Sequence, residues 1–456
     1  MKKYIITILA VLSVGLSATA QMRTSYFMQG STYRTDLNPA LAPLRGYVNL
    51  PLIGGSHFSI NSNYLSLSTF IYPNPNGEGS VLFLNDAVKK DFLKRLPNNN
   101  KLSFDTSLNV LSFGAYTKNI FWQAGINVKA QSELVIPKDF FTALTNIGQG
   151  HYDLSHFHAC INSYAEIFAG GAVPIFDWLK VGARVKGLIG IANIDMSANN
   201  MYIDINEEYV AAKMSGEMKY NSAFAAPVTP GQEISMGDAF KFGTFNLNNG
   251  GGFGIDLGAE ATFFNDRLRA SAAITDLGFI SWGKNTTVNA NMSAGVTYRG
   301  YDFNVQDVDL ETDDFTMSVN GTSKGFSTRL NTSLNLGAEY TFLEDRISVG
   351  ILSHTLFGHN ATLSELTISG NFRPLSWLSA SVSHTFLSHN RFGVFGFALN
   401  IHPTGFNLFL GTDFIGLKVA KGVPVPVNMS SMNLYMGMGF NFGKPHFHKG
   451  SKFYKG

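Results

Sequence analysis

The chain has 456 residues, and 34 Lys and Arg against 32 Asp and Glu leave a formal net charge of +2. Only 14% of residues are charged, against about 25% in an ordinary soluble domain, while aromatics reach 13% with 46 Gly and 38 Phe. The charge deficit predicts that much of the surface faces away from water. The near-neutral balance argues against nucleic acid, and the single cysteine, Cys160, excludes a disulfide within the chain.

At the N-terminus Lys2 and Lys3 precede the apolar run from Ile5 to Leu16, and Ala18-Thr19-Ala20 stands before Gln21. This is the form of a secretory signal peptide over residues 1–20, with the mature chain starting at Gln21. No Cys follows the cleavage site, so no lipid anchor is expected. No later run of about 18 apolar residues is present, so no transmembrane helix is available. Residues 21–45 hold Arg23, Arg34, Asp36 and Arg45 with Gly30 and Pro39 and lack alternation, which reads as an irregular segment ahead of a sheet.

From there a period of two dominates. In 432–442, Leu434, Met436, Met438, Phe440 and Phe442 share one parity, and Asn433, Tyr435, Gly437, Gly439 and Asn441 the other. Such alternation gives a strand one apolar and one small or polar face. In a membrane barrel the apolar face meets lipid and the polar face lines the lumen. The same pattern predicts strands at about 56–67, 105–116, 120–130, 155–171, 179–194, 252–263, 268–282, 332–342, 347–356, 361–372, 378–386, 392–401, 406–413 and 432–442. A short helix is expected near 85–96, where Val88, Phe92 and Leu96 share a face and Asn85 can cap.

Tight turns near 117–119, 265–267 and 343–345 alternate with long connections near 67–104, 131–155, 196–249, 284–330 and 416–431, with two short exceptions at the long-loop end near 357–360 and 387–391. Short turns at one end and long loops at the other are the asymmetry of bacterial outer-membrane barrels. The fold class is therefore all-β: a transmembrane antiparallel β-barrel of about 14 strands over 46–442, with a basic periplasmic tail at 443–456. Segments 198–222 and 289–322 also alternate, as strand extensions above the membrane or as an extra hairpin making sixteen. Asp276 breaks the parity of its strand, so Asp276-Leu277-Gly278 is a candidate bulge.

Asn38-Pro39-Ala40, after the signal peptide and before the first strand, resembles the NPA motif of FadL-type fatty-acid transporter barrels. The stretches Leu37–Pro43 and Gly46–Pro51, with 181–186 and 276–282, are more similar still to a family of uncharacterised outer-membrane barrels known as a domain of unknown function. They are also similar to type IX secretion-associated barrels. The resemblance implies that residues 21–45 form a hatch inside the lumen, with Asn38, Pro39 and Ala40 as gating residues, and places the chain in the outer membrane of a Gram-negative bacterium.

Inward parity collects Glu166, Lys180, Arg184, Lys186, Asp256, Glu260, Glu339 and Glu365. They would form a selectivity lining, or pair with one another and with the hatch arginines Arg23, Arg34 and Arg45, because confined charges need partners or water. Trp122, Trp282 and Trp377 suit interfacial girdles. His156, His158 and Cys160 share a strand face; a soft metal site and plain polar lining are both readings of them, and no metal or other cofactor is assigned. The tail's His446, His448, Lys444, Lys449, Lys452 and Lys455 read as a solvated end. No P-loop, dinucleotide fingerprint, G-x-S-x-G or H-E-x-x-H is present, so no enzyme is expected. The leading function is a hatch-gated channel for small hydrophobic or amphipathic molecules, with Phe140, Phe141, Leu144, Phe224 or Val228 in the outer loops as ligand contacts. The alternative is a non-transporting barrel that docks partner proteins through loops 196–249 and 284–330. Outer-membrane lipid and lipopolysaccharide are the expected surroundings.

Overall fold

A computed structural model describes residues 22–447 except 76, 78, 146–149, 207–208, 225–232, 236–245, 247–248, 284–285, 300–309, 320–324, 359–361, 388–389 and 416–430. The expected signal peptide, Val228 and the tail beyond 447 lie outside the described residues.

The alternating segments close into a ring of fourteen antiparallel strands. In chain order they are Gly46–Asn49 continued by Ser56–Ser62, Asn99–Thr117, Ile120–Pro137, His158–Phe176, Leu179–Ile205, Gly250–Phe263 and Leu268–Trp282. Phe326–Arg329 continued by Thr332–Phe342 is the eighth, and Ile347–Phe357, Thr362–Leu375, Leu378–Leu387, Asn390–Ile401, Asn407–Ile415 and Ser431–Phe442 complete the ring. The first pairs with the last, from Gly46 opposite Phe442 to Asn61 opposite Ser431, so no edge remains in the ring. Faces follow the sequence. Met432, Leu434, Phe440 and Phe442 are exposed on the outside, while Ser431, Asn433, Tyr435 and Asn441 are buried inside. Outward large apolar side chains recur on every ring strand, which fits a lipid-facing band.

The first strand differs from expectation: it begins at Gly46 and is interrupted between Asn49 and Ser56. Leu52 there has φ 65, and its backbone N–H and that of Leu50 bond to Asn109 and Met438 on the two neighbouring strands. The 198–222 and 289–322 segments do not enlarge the ring. Tyr209–Ser222 pairs with the far half of the 27-residue strand Leu179–Ile205, then with Thr287–Arg299, which pairs with Leu310–Val319. This sheet extends beyond the ring at the end where the long connections lie. The same end carries the helices Lys89–Arg95 and Lys138–Thr145. Val88, Phe92 and Leu96 are buried as the spacing predicts, against Phe83, Ile136 and Phe141, and Asn85 Oδ1 accepts from the Ala87 N–H at 3.0 Å.

Asp276 is a bulge. Its φ is 55, and the register shifts opposite it between Ile255 and Leu257. One extra residue reverses the parity of all that follows, which corrects the placing of Trp282. Trp282 is buried inside the barrel, donating its indole N–H to Thr328 Oγ1 at 2.9 Å and packing with Tyr164, Leu188, Ile280 and Leu330. The outward tryptophans are Trp122, Trp178 and Trp377, at 54%, 49% and 40% exposure, all beside tight turns. They form a girdle at the short-turn end alone.

Candidate functional site

The site is the lumen, filled by the segment from Met22 to Leu44, in which nearly every residue is buried. Its two short helices, Arg23–Ser25 and Arg34–Leu37, are too short to be stable alone, so wall contacts must hold them. Asn38 makes the bend. Its Oδ1 accepts from the Ala40 N–H at 2.9 Å, its carbonyl accepts from the Leu41 N–H at 2.9 Å, and its amide nitrogen donates across to the carbonyls of Ala259 and Ala272. Wall glycines make room. A Cβ on Gly258 would come within 2.0 Å of Asn38 Oδ1, and one on Gly182 within 2.3 Å of the Pro39 carbonyl carbon. Nearby, Asn335 donates to the Leu37 carbonyl at 2.9 Å, and His354 Nδ1 lies 2.6 Å from Asn335 Oδ1.

Three charged networks join the segment to the wall. In the first, Arg184 Nε donates to Asp256 at 2.6 Å and its Nη1 to Asp36 of the segment. Lys186 reaches Asp256 at 2.8 Å, Asp276 at 2.7 Å and Glu166 at 3.6 Å, while Lys129 reaches Glu166 at 3.0 Å and Asp276 at 3.2 Å. In the second, Arg269 holds Glu339 and Asp345 at 3.0 and 2.8 Å, and Arg373 holds the same pair at 2.5 and 3.2 Å. Arg373 also donates to the Phe27 carbonyl at 2.8 Å, and Gln29 donates to Asp345 at 3.1 Å. In the third, Arg23 pairs with Glu365, and Asp413 accepts from the N–H groups of Arg23 and Thr24 at 3.1 and 2.8 Å and from the Tyr435 hydroxyl at 3.0 Å. Paired, hydrogen-bonded charges are the form in which ions tolerate burial.

Most of the ring and most wall members of these networks lie within a stretch of sequence that matches a known family, whereas residues 22–38 and the closing strand Ser431–Phe442 lie outside it. The chain belongs to the family of unknown function DUF5723, whose profile matches residues 39–413. No curated protein sequence matches it. Among solved structures it is similar to the toluene transporter TbuX of Ralstonia pickettii, at 9% identity and a TM-score of 0.42 over 89% of this chain and 91% of that one. It is similar also to the toluene transporter TodX of Pseudomonas putida, at 9% identity and a TM-score of 0.34 over 93% of this chain and 94% of that one.

In this DUF5723 barrel the predicted lumen charges separate into distinct neighbourhoods. Glu166, Arg184, Lys186 and Asp256 belong to the first network, Glu339 to the second and Glu365 to the third; Glu260 pairs with Lys180 at 3.2 Å. Of the three arginines expected to meet lumen carboxylates, Arg23 does. Arg45 does not: the segment has left the lumen by then, and Arg45 donates to the Gly443 carbonyl at the rim. Arg34 donates to the Tyr26 carbonyl instead of to a carboxylate. Sequence reasoning missed Asp36, Arg269, Asp345, Arg373 and Asp413. Arg269, Arg373 and Asp413 sit at inward parity and were findable; Asp36 and Asp345 lie in a helix and a turn, where parity says nothing. The tail is not simply solvated: the His446 ring stacks on Tyr116 at 3.8 Å, and the His446 backbone N–H donates to the Leu44 carbonyl at 2.7 Å.

Two cavities share no lining residue, and the smaller one is lined in part by the segment. One, of about 400 Å³, opens among Ser103, Asp105, Glu133, Cys160, Asp195 and Phe326 toward the long-loop end. The other, of about 230 Å³, lies among Arg34, Ala42, Phe121, Ala172, Lys180 and Glu260 toward the short-turn end. Cys160 lines the first, and His158 is committed to Asp195 at 2.9 Å. Phe141 is spent on the loop-helix cluster, whereas Leu144 stays exposed.

Proposed function

We propose that the chain is an outer-membrane channel for small hydrophobic or amphipathic molecules, closed by its N-terminal segment acting as a hatch. The long-loop end would face outside and the short turns, with the tryptophan girdle, the periplasm. The supporting observation is a lumen filled by a segment that only noncovalent contacts hold to the wall, so displacing that segment would clear the space it occupies. Deleting residues 22–44 should raise conductance in planar bilayers severalfold while heat-modifiable gel mobility shows a folded barrel. A folded deletion variant with unchanged conductance would refute gating. The sheet extending beyond the ring supports the second reading, a scaffold that docks proteins at the outer face, and unchanged conductance is the result that reading expects.

A further inference from the structure

Among the described residues five arginines are buried in the lumen, and four of them are paired twice. Arg23 holds Glu365 and Asp413, Arg184 holds Asp36 and Asp256, and Arg269 and Arg373 each hold Glu339 and Asp345. Arg34 is the exception. It is 3% exposed, yet its guanidinium's one hydrogen bond to a described residue runs from Nε to the Tyr26 carbonyl at 2.8 Å, and no described carboxylate is in ion-pair contact with it. The remaining guanidinium nitrogens carry four N–H donors in a planar fork suited to an oxyanion. Arg34 lines the 230 Å³ chamber at the short-turn end, where Lys180 is paired with Glu260 and Ala42, Leu44, Phe121, Ala172 and Leu179 supply apolar wall.

We infer that this chamber is a binding site for a compact organic anion, its carboxylate or phosphate on Arg34 and its apolar body against Phe121 and Ala172. The acids facing the same space are accounted for. Glu260 is neutralised by Lys180 at 3.2 Å, and Asp177 and Asp266 stand at the solvated mouth. An unpaired buried guanidinium is costly to desolvate, and an arriving oxyanion recovers part of that cost. The small volume excludes a long chain. This deepens the channel reading, because the site lies on the exit side of the hatch and would receive what passes it.

The test is calorimetric titration of the purified full-length mature barrel in detergent with benzoate, inorganic phosphate and benzyl alcohol. Benzoate should bind at one site per chain, tighter than either other probe, and Arg34→Gln should weaken it about tenfold or more, with Arg34→Lys between the two. Phosphate binding as tightly as benzoate would assign the site to free phosphate and overturn the organic body. Benzyl alcohol binding as tightly, or Arg34→Gln leaving benzoate unchanged, would overturn the oxyanion site. Ala42→Trp, which fills the chamber without touching the charges, should abolish benzoate binding and covers the case where Arg34→Gln fails to fold. Equilibrium binding is read without transport. A barrel that binds benzoate but conducts nothing defeats the channel and leaves the site standing; a conducting barrel that ignores benzoate does the reverse.

Discussion

At the residue scale, neighbouring positions on one strand carry opposite risks for different reasons. Val185 is 48% exposed on the lipid face, and Arg there should cost about 2–4 kcal/mol near the bilayer midplane. Parity alone marks Lys186, on the lumen face, as tolerant of change; its three carboxylate partners say otherwise. Lys186→Ala strips a cation from Glu166, Asp256 and Asp276 and should cost about 3–5 kcal/mol, comparable to Val185→Arg. Urea midpoints of the gel-mobility transition measure both. The sequence showed which residues point inward; which of them meet depends on the offset between strands, and that is not written in any single strand. His402, in the turn after Asn390–Ile401, adds a pH dependence. Burial, reinforced by the Arg45 charge, pushes its pKa from 6.5 down to about 4. The folded barrel therefore disfavours the protonated ring. The stability of the neutral form is fully present above about pH 6.5 and is lost as pH falls toward 4, by up to about 3 kcal/mol. Melting of the wild type should drop relative to His402→Gln across that interval, and parallel curves would refute it.

At the element scale, strand number and ring closure were legible, because fourteen apolar faces repeat with one period and lipid demands all of them. The hatch's course was not. A segment without alternation has its path set by the wall: by glycines such as Gly182 and Gly258 that leave room, and by carboxylates on strands far along the chain. The bulge at Asp276 was visible as a break in pattern, but its consequence for Trp282 needed the new phase carried forward. Asp36 ties the segment to a single wall residue, Arg184. Asp36→Lys sets a cation against Arg184, which keeps Asp256 at 2.6 Å, so the ring should stay folded while the hatch loosens. Single-channel conductance should rise toward that of the hatch deletion; a folded variant with wild-type conductance would count against Asp36 as a latch.

At the scale of the whole molecule, charge and shape divide the barrel into two ends. The long-loop end carries the sheet extension, two helices and an aromatic cluster around Phe83, Phe92 and Phe141. The short-turn end carries the tryptophan girdle, the returning His446 and the Arg34 chamber. The anchoring of Arg23 and Thr24 on Asp413, 390 and 389 residues later in the chain, also bears on how the molecule is made. A segment this early in the chain cannot find its seat until the thirteenth strand is in place, and the ring that encloses it shuts only when Ser431–Phe442 meets Gly46–Asn49. Contacts of such separation form late. The segment in the lumen thus completes its packing only as the ring closes, which makes its seating and the closure of the sheet one cooperative event.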